Sequence, residues 1–187
     1  MMFLKYTLLY FKSIILYSWR FKSCGFKSIL FGFINLEYAR YITIGRGVRI
    51  LSGARIECIP NWMGQKFSPQ ISIGNNVNIG QNFFMTCASQ IKIDDGVLIS
   101  DGVAVIDNFH DHDNLEKGPN FASIKASQII IERNAIIYRC ATILGGVKIG
   151  EGAIVGAYSL VKEDVPAYSL VVGAPAKVVK RRHVENK

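Results

Sequence analysis

The amino-acid sequence predicts an all-β fold, a parallel β-helix with appended ends, on three observations. Apolar side chains recur every six residues, glycine often follows them, and the breaks in the recurrence are polar. In the last third, Ile131, Ile137, Ile143, Ile149, Val155 and Val161 stand six apart. Earlier blocks keep the step at Ile44, Ile50 and Ile56, at Ile73, Ile79 and Met85, and at Ile93, Ile99 and Val105. A helix repeats near 3.6 residues and a strand near 2, so a period of six fits neither alone. It fits one short strand plus one turn, with the apolar residue pointing into a narrow prism. Three such units make one coil, and stacked coils pair each backbone with the coils on either side. Gly45, Gly74, Gly80, Gly150 and Gly156 follow grid residues. A corner with positive φ is the expected reason, because glycine adopts it without steric penalty.

The breaks locate the insertions. The grid slips by two residues between Met85 and Ile93, which predicts a wider corner. It breaks for longer between Ile56 and Ile73, around Pro60, Asn61, Gly64 and Pro69. The longest break reads IDNFHDHDNLEKGPNFASIKAS, which is polar and aperiodic and predicts a loop over 106–128. Long loops on a rigid scaffold are where chemistry concentrates. The expected organisation is an N-terminal amphipathic helical segment over 1–40, the β-helix over 41–165, and a C-terminal turn with a basic tail over 166–187. In the N-terminal segment, Leu4, Leu8, Phe11 and Ile15 fit one helical stripe, with Lys5 and Lys12 off it. Lysines interrupt the run too often for a bilayer span of roughly 20 apolar residues. The stripe either caps the open end of the solenoid or lies on a membrane surface.

Composition bounds the function. Half of the 187 residues are hydrophobic and 19% are charged, which supplies a core and argues against disorder. The net charge is +8 and gathers at the ends. Residues 1–40 carry Lys5, Lys12, Arg20, Lys22, Lys27 and Arg40 against Glu37 alone, and the tail carries Lys177, Lys180, Arg181, Arg182 and Lys187 against Glu185. Basic ends suit membrane lipids or nucleotide phosphates. No nucleic-acid motif accompanies them, so no nucleic-acid partner is expected. Cys24, Cys58, Cys87 and Cys140 show no CxxC spacing, and no secretory signal stands out, so reduced thiols in a cytoplasmic protein are expected, with attachment at the inner membrane face open.

The stretch IIIERNAIIYRCATILGGVKIGEGAIVGAYSLVKEDVPAYSLVVGAPAKVVKRR resembles the C-terminal half of hexapeptide-repeat acetyltransferases, without a gap from Ile131 to Arg182. Its GGVKIGEGAIVGA core and DVP…GAPAK ending carry the likeness, and DNFH resembles the loop that holds the family's histidine. The resemblance implies a left-handed coil, a homotrimer with sites between subunits, and acetyl-CoA as acyl donor. It places the general base at His110. A hydroxyl is a poor nucleophile until a base takes its proton, and histidine titrates in the right range. His112, two residues on, is the rival. His183 reads as a solvated tail residue, and Asp107, Asp111 or a backbone carbonyl is a candidate to orient the ring.

For the cofactor, the family pattern falls on Arg139 and Ala157 beside the pantetheine arm, on Lys162 and Glu163 before DVP, and on Lys177 and Lys180 at the nucleotide phosphates. Three positions depart from the pattern: Ile136 replaces a tryptophan, Arg139 a small residue and Glu163 a basic one. Positions that bind galactoside or maltose in that branch read Gly80 and Ala88. The basic, aromatic N-terminus is closer to the branch that acetylates surface polysaccharides (lipopolysaccharide or capsule) or their lipid-linked precursors. The expected activity is thus O-acetylation of a sugar hydroxyl. N-acetylation of an amino sugar and a non-catalytic scaffold are the alternatives. A zinc site needs three histidine ligands from separate coils, and the three histidines are not spaced for one, so no metal is expected.

Overall fold

The structure is a computed structural model and describes residues 8, 10–13, 15–111, 118 and 121–182. Its centre is a left-handed parallel β-helix of three sheets. Coil 1 consists of Ser23–Cys24, Ile29–Leu30 and Asn35–Glu37, and coil 2 of Ile42–Ile44, Arg49–Ile50 and Arg55–Cys58. Coil 3 follows as Gln70–Ile73, Asn78–Ile79 and Phe84–Cys87, and coil 4 as Gln90–Ile93, Leu98–Ile99 and Ala104–Ile106. Coil 5 is Ile129–Ile131, Ile136–Ile137 and Thr142–Leu144, and coil 6 is Lys148–Ile149, Ile154–Val155 and Leu160–Val161. The strands of each coil occupy the first, second and third faces of the prism in turn.

The six-residue grid becomes three ladders. On the first face Ile44, Ile73, Ile93, Ile131 and Ile149 are register partners in successive coils. On the second, Leu30, Ile50, Ile79, Ile99, Ile137, Val155 and Val171 stack in the same way. On the third, Leu36, Ile56, Met85, Val105, Ile143 and Val161 do so. All of these side chains are buried. A buried aliphatic side chain contributes about 1.5–3 kcal/mol, so the ladders dominate the hydrophobic stabilisation.

Three expectations need correction. First, coil 1 lies within residues 1–40, which were expected to be a helical appendage. Cys24, Leu30 and Leu36 keep the six-residue step there. Second, the C-terminal segment is not an appendage either: Ser169–Val172 pairs in parallel with Ile154–Val155 on the second face, and Lys177–Arg181 folds back antiparallel on it. Third, the glycines that follow grid residues have no positive φ. They sit where the next coil comes closest: a Cβ on Gly45 would lie 2.6 Å from the Gly74 carbonyl. Positive φ falls two residues later, at Gly47, Asn76, Asn82, Gly152 and Tyr158.

The helix ahead of coil 1 includes residues 8, 10–13 and 15–16. Leu8, Phe11 and Ile15 of the expected stripe are 71%, 55% and 70% exposed, and Leu4 lies outside the described residues. The opposite face meets the solenoid. Ser13 Oγ donates to the Leu30 carbonyl at 3.1 Å and accepts from the Leu30 N–H at 2.9 Å. Tyr17 Oη donates to the Gly32 carbonyl at 3.0 Å, and Arg20 Nη2 to the Leu36 carbonyl at 2.9 Å.

Candidate active site

Both insertions leave the prism at one corner, between its third and first faces. The shorter follows Arg55–Cys58 and forms a hairpin in which Asn61–Trp62 pairs with Gln65–Lys66. The longer follows Ala104–Ile106 and forms a hairpin in which Asn108–His110 pairs with Ile124–Ala126. The wider corner at Cys87, Ala88 and Ser89 lies in coil 3, between those two departures. A cleft of ≈ 550 Å³ opens there, with Phe67 and Ser68 on one wall, Ala88 and Ser89 at its floor, and Ile124 and Ala126 on the other wall.

The root of the longer hairpin is held by Asp107, which is 0% exposed. Its carboxylate accepts hydrogen bonds from the Ala88 and Ser89 N–H groups, both at 2.8 Å, and from Asn108 Nδ2 at 3.0 Å. Asn108 Nδ2 also reaches Thr86 Oγ1 at 3.2 Å, and the Ser127 N–H closes the hairpin on the Asp107 carbonyl at 2.8 Å. Buried polar groups persist where they are satisfied in this way. Below Asp107 in the same column stand Cys87 and its register partner Cys58. Burial pushes the Cys58 thiol up to about 12, with the Asp107 charge adding to it, and the same two causes raise Cys87.

His110 ends the outgoing strand and is exposed. Its ring packs edge-on against Trp62, with centroids 5.2 Å apart and planes at 67°. Trp62 Nε1 donates to the Ala122 carbonyl at 2.9 Å. Gln65 clamps the returning strand, Nε2 donating to the Ile124 carbonyl at 3.0 Å and Oε1 accepting from the Ile124 N–H at 3.1 Å. The shorter hairpin therefore buttresses the longer one and fixes the histidine's side of the cleft. Of the two carboxylates considered for the ring, Asp107 is committed to the corner and Asp111 Oδ1 pairs with Lys125 Nζ at 3.0 Å. His112 and His183 lie outside the described residues. Trp62 and Gln65 escaped the sequence reading, although the grid carried a signal: both long breaks follow a third-face residue, Ile56 and Val105.

The residues expected at the cofactor lie on the coils above. Arg139 and Ala157 are exposed and stack in adjacent coils at the corner between the second and third faces. Lys162 and Glu163 are exposed at the corner that carries His110, two coils, or ~10 Å, beyond it. Lys177 Nζ reaches Glu163 Oε2 at 3.2 Å, so the ending touches that corner, while Lys180 is exposed further along the same strand. An exposed pair of this kind is worth little and opens readily to an anion. Arg139, Lys162 and Lys177 thus give the upper coils a set of exposed cations flanking the third face, while Lys180 stands on the second. Among the described residues, no group of three His, Cys, Asp or Glu side chains is placed to hold a metal ion.

Comparison with known proteins agrees with this architecture. Residues 128–163 match the family described as bacterial transferase hexapeptide (six repeats). Over 121 residues the chain is 32% identical to a putative serine acetyltransferase of Schizosaccharomyces pombe, covering 65% of this chain and 42% of that protein. AntD, an N-acyltransferase from Bacillus cereus in complex with dTDP and 3-hydroxybutyryl-CoA, shares the fold with a TM-score of 0.79. It is 23% identical, over 94% of this chain and 90% of that one. The hexapeptide-repeat acetyltransferase VCA0836 of Vibrio cholerae, complexed with acetyl coenzyme A, superposes with a TM-score of 0.66 and 25% identity, over 91% of this chain and 76% of that one. The chain spans about two fifths of the length of three of the curated relatives it matches, at 42%, 43% and 38%, and 23% of others. It is a hexapeptide-repeat, left-handed β-helix protein that resembles the acetyltransferases built on this repeat.

Proposed function

We propose that this hexapeptide-repeat chain is an acyltransferase that moves an acetyl group from acetyl-CoA to a sugar hydroxyl, with His110 as the general base. The acceptor is a surface polysaccharide, lipopolysaccharide or capsule, or its precursor. The observation that supports the reading is the mounting of His110 on a hairpin anchored by Asp107 and buttressed by Trp62 and Gln65, opposite Ile124 on the strand that lines the cleft. In this reading the imidazole takes the hydroxyl proton as the oxygen attacks the thioester carbonyl, the carbon–sulfur bond breaks, and the same proton passes to the departing thiolate. General-base assistance contributes typically 10²–10⁴-fold, and a hydroxyl needs it because its neutral form is a weak nucleophile. Ala157 and Arg139 flank the pantetheine arm, Lys162 and Glu163 border it, and Lys177 and Lys180 meet the phosphates, with Lys177 leaving Glu163 to do so. Homotrimeric assembly completes the cofactor groove between neighbouring prisms, and peripheral attachment to a membrane face belongs to the same reading.

A second reading is N-acylation of an amino sugar. It is favoured by the fold shared with AntD, one of whose structures contains dTDP-4-amino-4,6-dideoxyglucose and coenzyme A. A sugar amine has a substantial neutral fraction near pH 7 and depends less on a base, so the two readings separate on one variant. Thiol release from acetyl-CoA is followed for wild type and His110→Ala against sugar nucleotides, amino-sugar nucleotides, lipid-linked saccharides and polysaccharide fragments. Transfer to a hydroxyl acceptor that falls by 10²–10⁴ in His110→Ala supports the first reading. Transfer to an amino sugar that survives the substitution supports the second. A chain that binds no CoA and turns over no acceptor is a scaffold, and both readings fail.

A further inference from the structure

The N-terminal end of the solenoid presents an apolar, aromatic and basic surface that the catalytic reading leaves unused. On the helix, Ser13, Tyr17 and Arg20 face coil 1. At 100° per residue, Leu8, Phe11 and Ile15 fall on the opposite side, and Trp19 follows them in the 3-10 turn Ser18–Arg20. They are 71%, 55%, 70% and 75% exposed, and Leu16 beside them is 45% exposed. The stripe therefore points away from the prism along its axis. Coil 1 extends the same surface at each corner. Phe26 is 62% exposed and has Lys27 Nζ 5.5 Å from its ring; Phe33 is 77% exposed; Tyr38 is 51% exposed with the Arg40 guanidinium 5.6 Å from its ring. Lys12 and Lys22 are exposed between them.

Charge follows the same axis. Residues 1–93 contain eleven Lys and Arg against two Glu, whereas residues 94–187 contain eleven Lys and Arg against twelve Asp and Glu. The positive field is thus concentrated towards the end that carries the exposed stripe. Among the described residues, no helix is long and apolar enough to cross a membrane. An exposed aliphatic and tryptophan stripe, aromatic rings at the rim and interspersed lysines match the chemistry of the headgroup region: hydrocarbon beneath, phosphate around.

We propose that this end of the solenoid lies on an anionic phospholipid surface, with Leu8, Phe11, Ile15 and Trp19 inserted below the headgroups and Lys12, Lys22, Lys27 and Arg40 against lipid phosphate. The prism axis then stands on the membrane, with the His110 corner three coils, ~15 Å, above coil 1. The inference deepens the peripheral attachment named above by assigning its face and its lipid, and does not depend on acetyl transfer.

The test is flotation of the full chain with phosphatidylcholine vesicles and with phosphatidylcholine–phosphatidylglycerol vesicles. Wild type is expected to float only with the anionic vesicles and to be released by salt. Lys12→Gln/Lys22→Gln/Lys27→Gln should weaken binding by on the order of a hundredfold, from roughly fivefold per lost cation. Leu8→Ser/Ile15→Ser/Trp19→Ser should abolish it, and quenching of wild-type fluorescence by brominated lipid should disappear in Trp19→Phe. These side chains are exposed, so unchanged circular dichroism verifies that both triple variants fold. Absence of binding by the wild type overturns the proposal, as does binding by both triple variants equal to that of the wild type. A stripe variant that alters only the oligomeric state in light scattering assigns the face to a second copy, and the proposal fails. Thiol release with a soluble acceptor is expected to be the same in all variants, which separates a failure here from a failure of the catalytic reading.

Discussion

Replacing Asp107 by alanine tests whether the corner that carries His110 is built as described. The carboxylate is the partner of two backbone N–H groups, those of Ala88 and Ser89, and of the Asn108 amide. Ala88 is 1% exposed, so its N–H loses its partner out of reach of bulk water, at about 1–3 kcal/mol. Ser89 is half-buried and the Asn108 amide keeps Thr86 Oγ1, so these two losses together add about 1–2 kcal/mol. Removing a buried carboxylate returns part of this, because its own desolvation cost goes with it. The net expectation is a loss of about 2–4 kcal/mol. Asp107→Asn should recover little of it, since the amide presents an oxygen to one backbone N–H and an NH₂ to the other. Urea unfolding at fixed protein concentration gives the stability, and hydrogen exchange at the Ala88 and Ser89 amides gives the local consequence. An Asp107→Ala protein within about 0.5 kcal/mol of wild type, or one whose Ala88 amide stays equally protected, would refute the reasoning.

Three further outcomes follow from named contacts. Trp62→Ala removes the ring against His110, an aromatic contact worth about 0.5–1.5 kcal/mol, and should lower kcat by roughly tenfold with KM little changed. Trp62→Phe should recover most of that, and steady-state kinetics with the acceptor found for wild type decides it. Gly45→Ala drives a Cβ to 2.6 Å from the Gly74 carbonyl, where the Gly45 N–H to Ile73 carbonyl bond of 2.7 Å prevents the coils from parting. It should cost about 1–3 kcal/mol in urea unfolding, whereas Gly118→Ala, with nothing within 4 Å, should be neutral. The Cys58 thiol is raised from 9.0 to about 12, and Cys87 is raised by the same burial and the same charge. A raised folded-state value means that the native protein holds the protons more tightly than the unfolded chain. The stabilisation is complete below pH 9 and drains away as pH climbs towards 12. The fall in the urea midpoint over that window should be smaller in Cys58→Ala/Cys87→Ala than in wild type.

The ladders were legible because period and burial coincide: a residue that points into a prism three strands wide has no alternative to the core, so the six-residue step is written directly in isoleucine and valine. Coil 1 was harder to read although it obeys the same step. Its inward residues are Cys24, Leu30 and Leu36, and the surrounding aromatics and lysines present an amphipathic pattern that competes with the grid. His110 is a local feature of the DNFH stretch, whereas its support is not: Trp62 and Gln65 stand 48 and 45 residues before it, and they meet its ring and the strand beside it only because both insertions leave one corner of stacked coils.

The N-terminal helix is oriented by a different interaction from the one its composition suggests. An apolar stripe ordinarily marks the buried side, because burial of hydrocarbon is the largest force available to a surface helix. The open end of a β-helix offers something else, an edge of unpaired N–H and C=O groups that would otherwise invite another strand. Satisfying that edge needs donors and acceptors, and they come from Ser13 on both polar atoms of Leu30, from Tyr17 on Gly32 and from Arg20 on Leu36. The side that carries these groups is therefore the inward one, with the Tyr17 ring in the hydrophobic core, and Leu8, Phe11, Ile15 and Trp19 are left outward by the same geometry. A cap of this kind does two things at once: it closes the sheets against strand addition, and it presents hydrocarbon and aromatic rings at the end of the prism where the positive charge is concentrated.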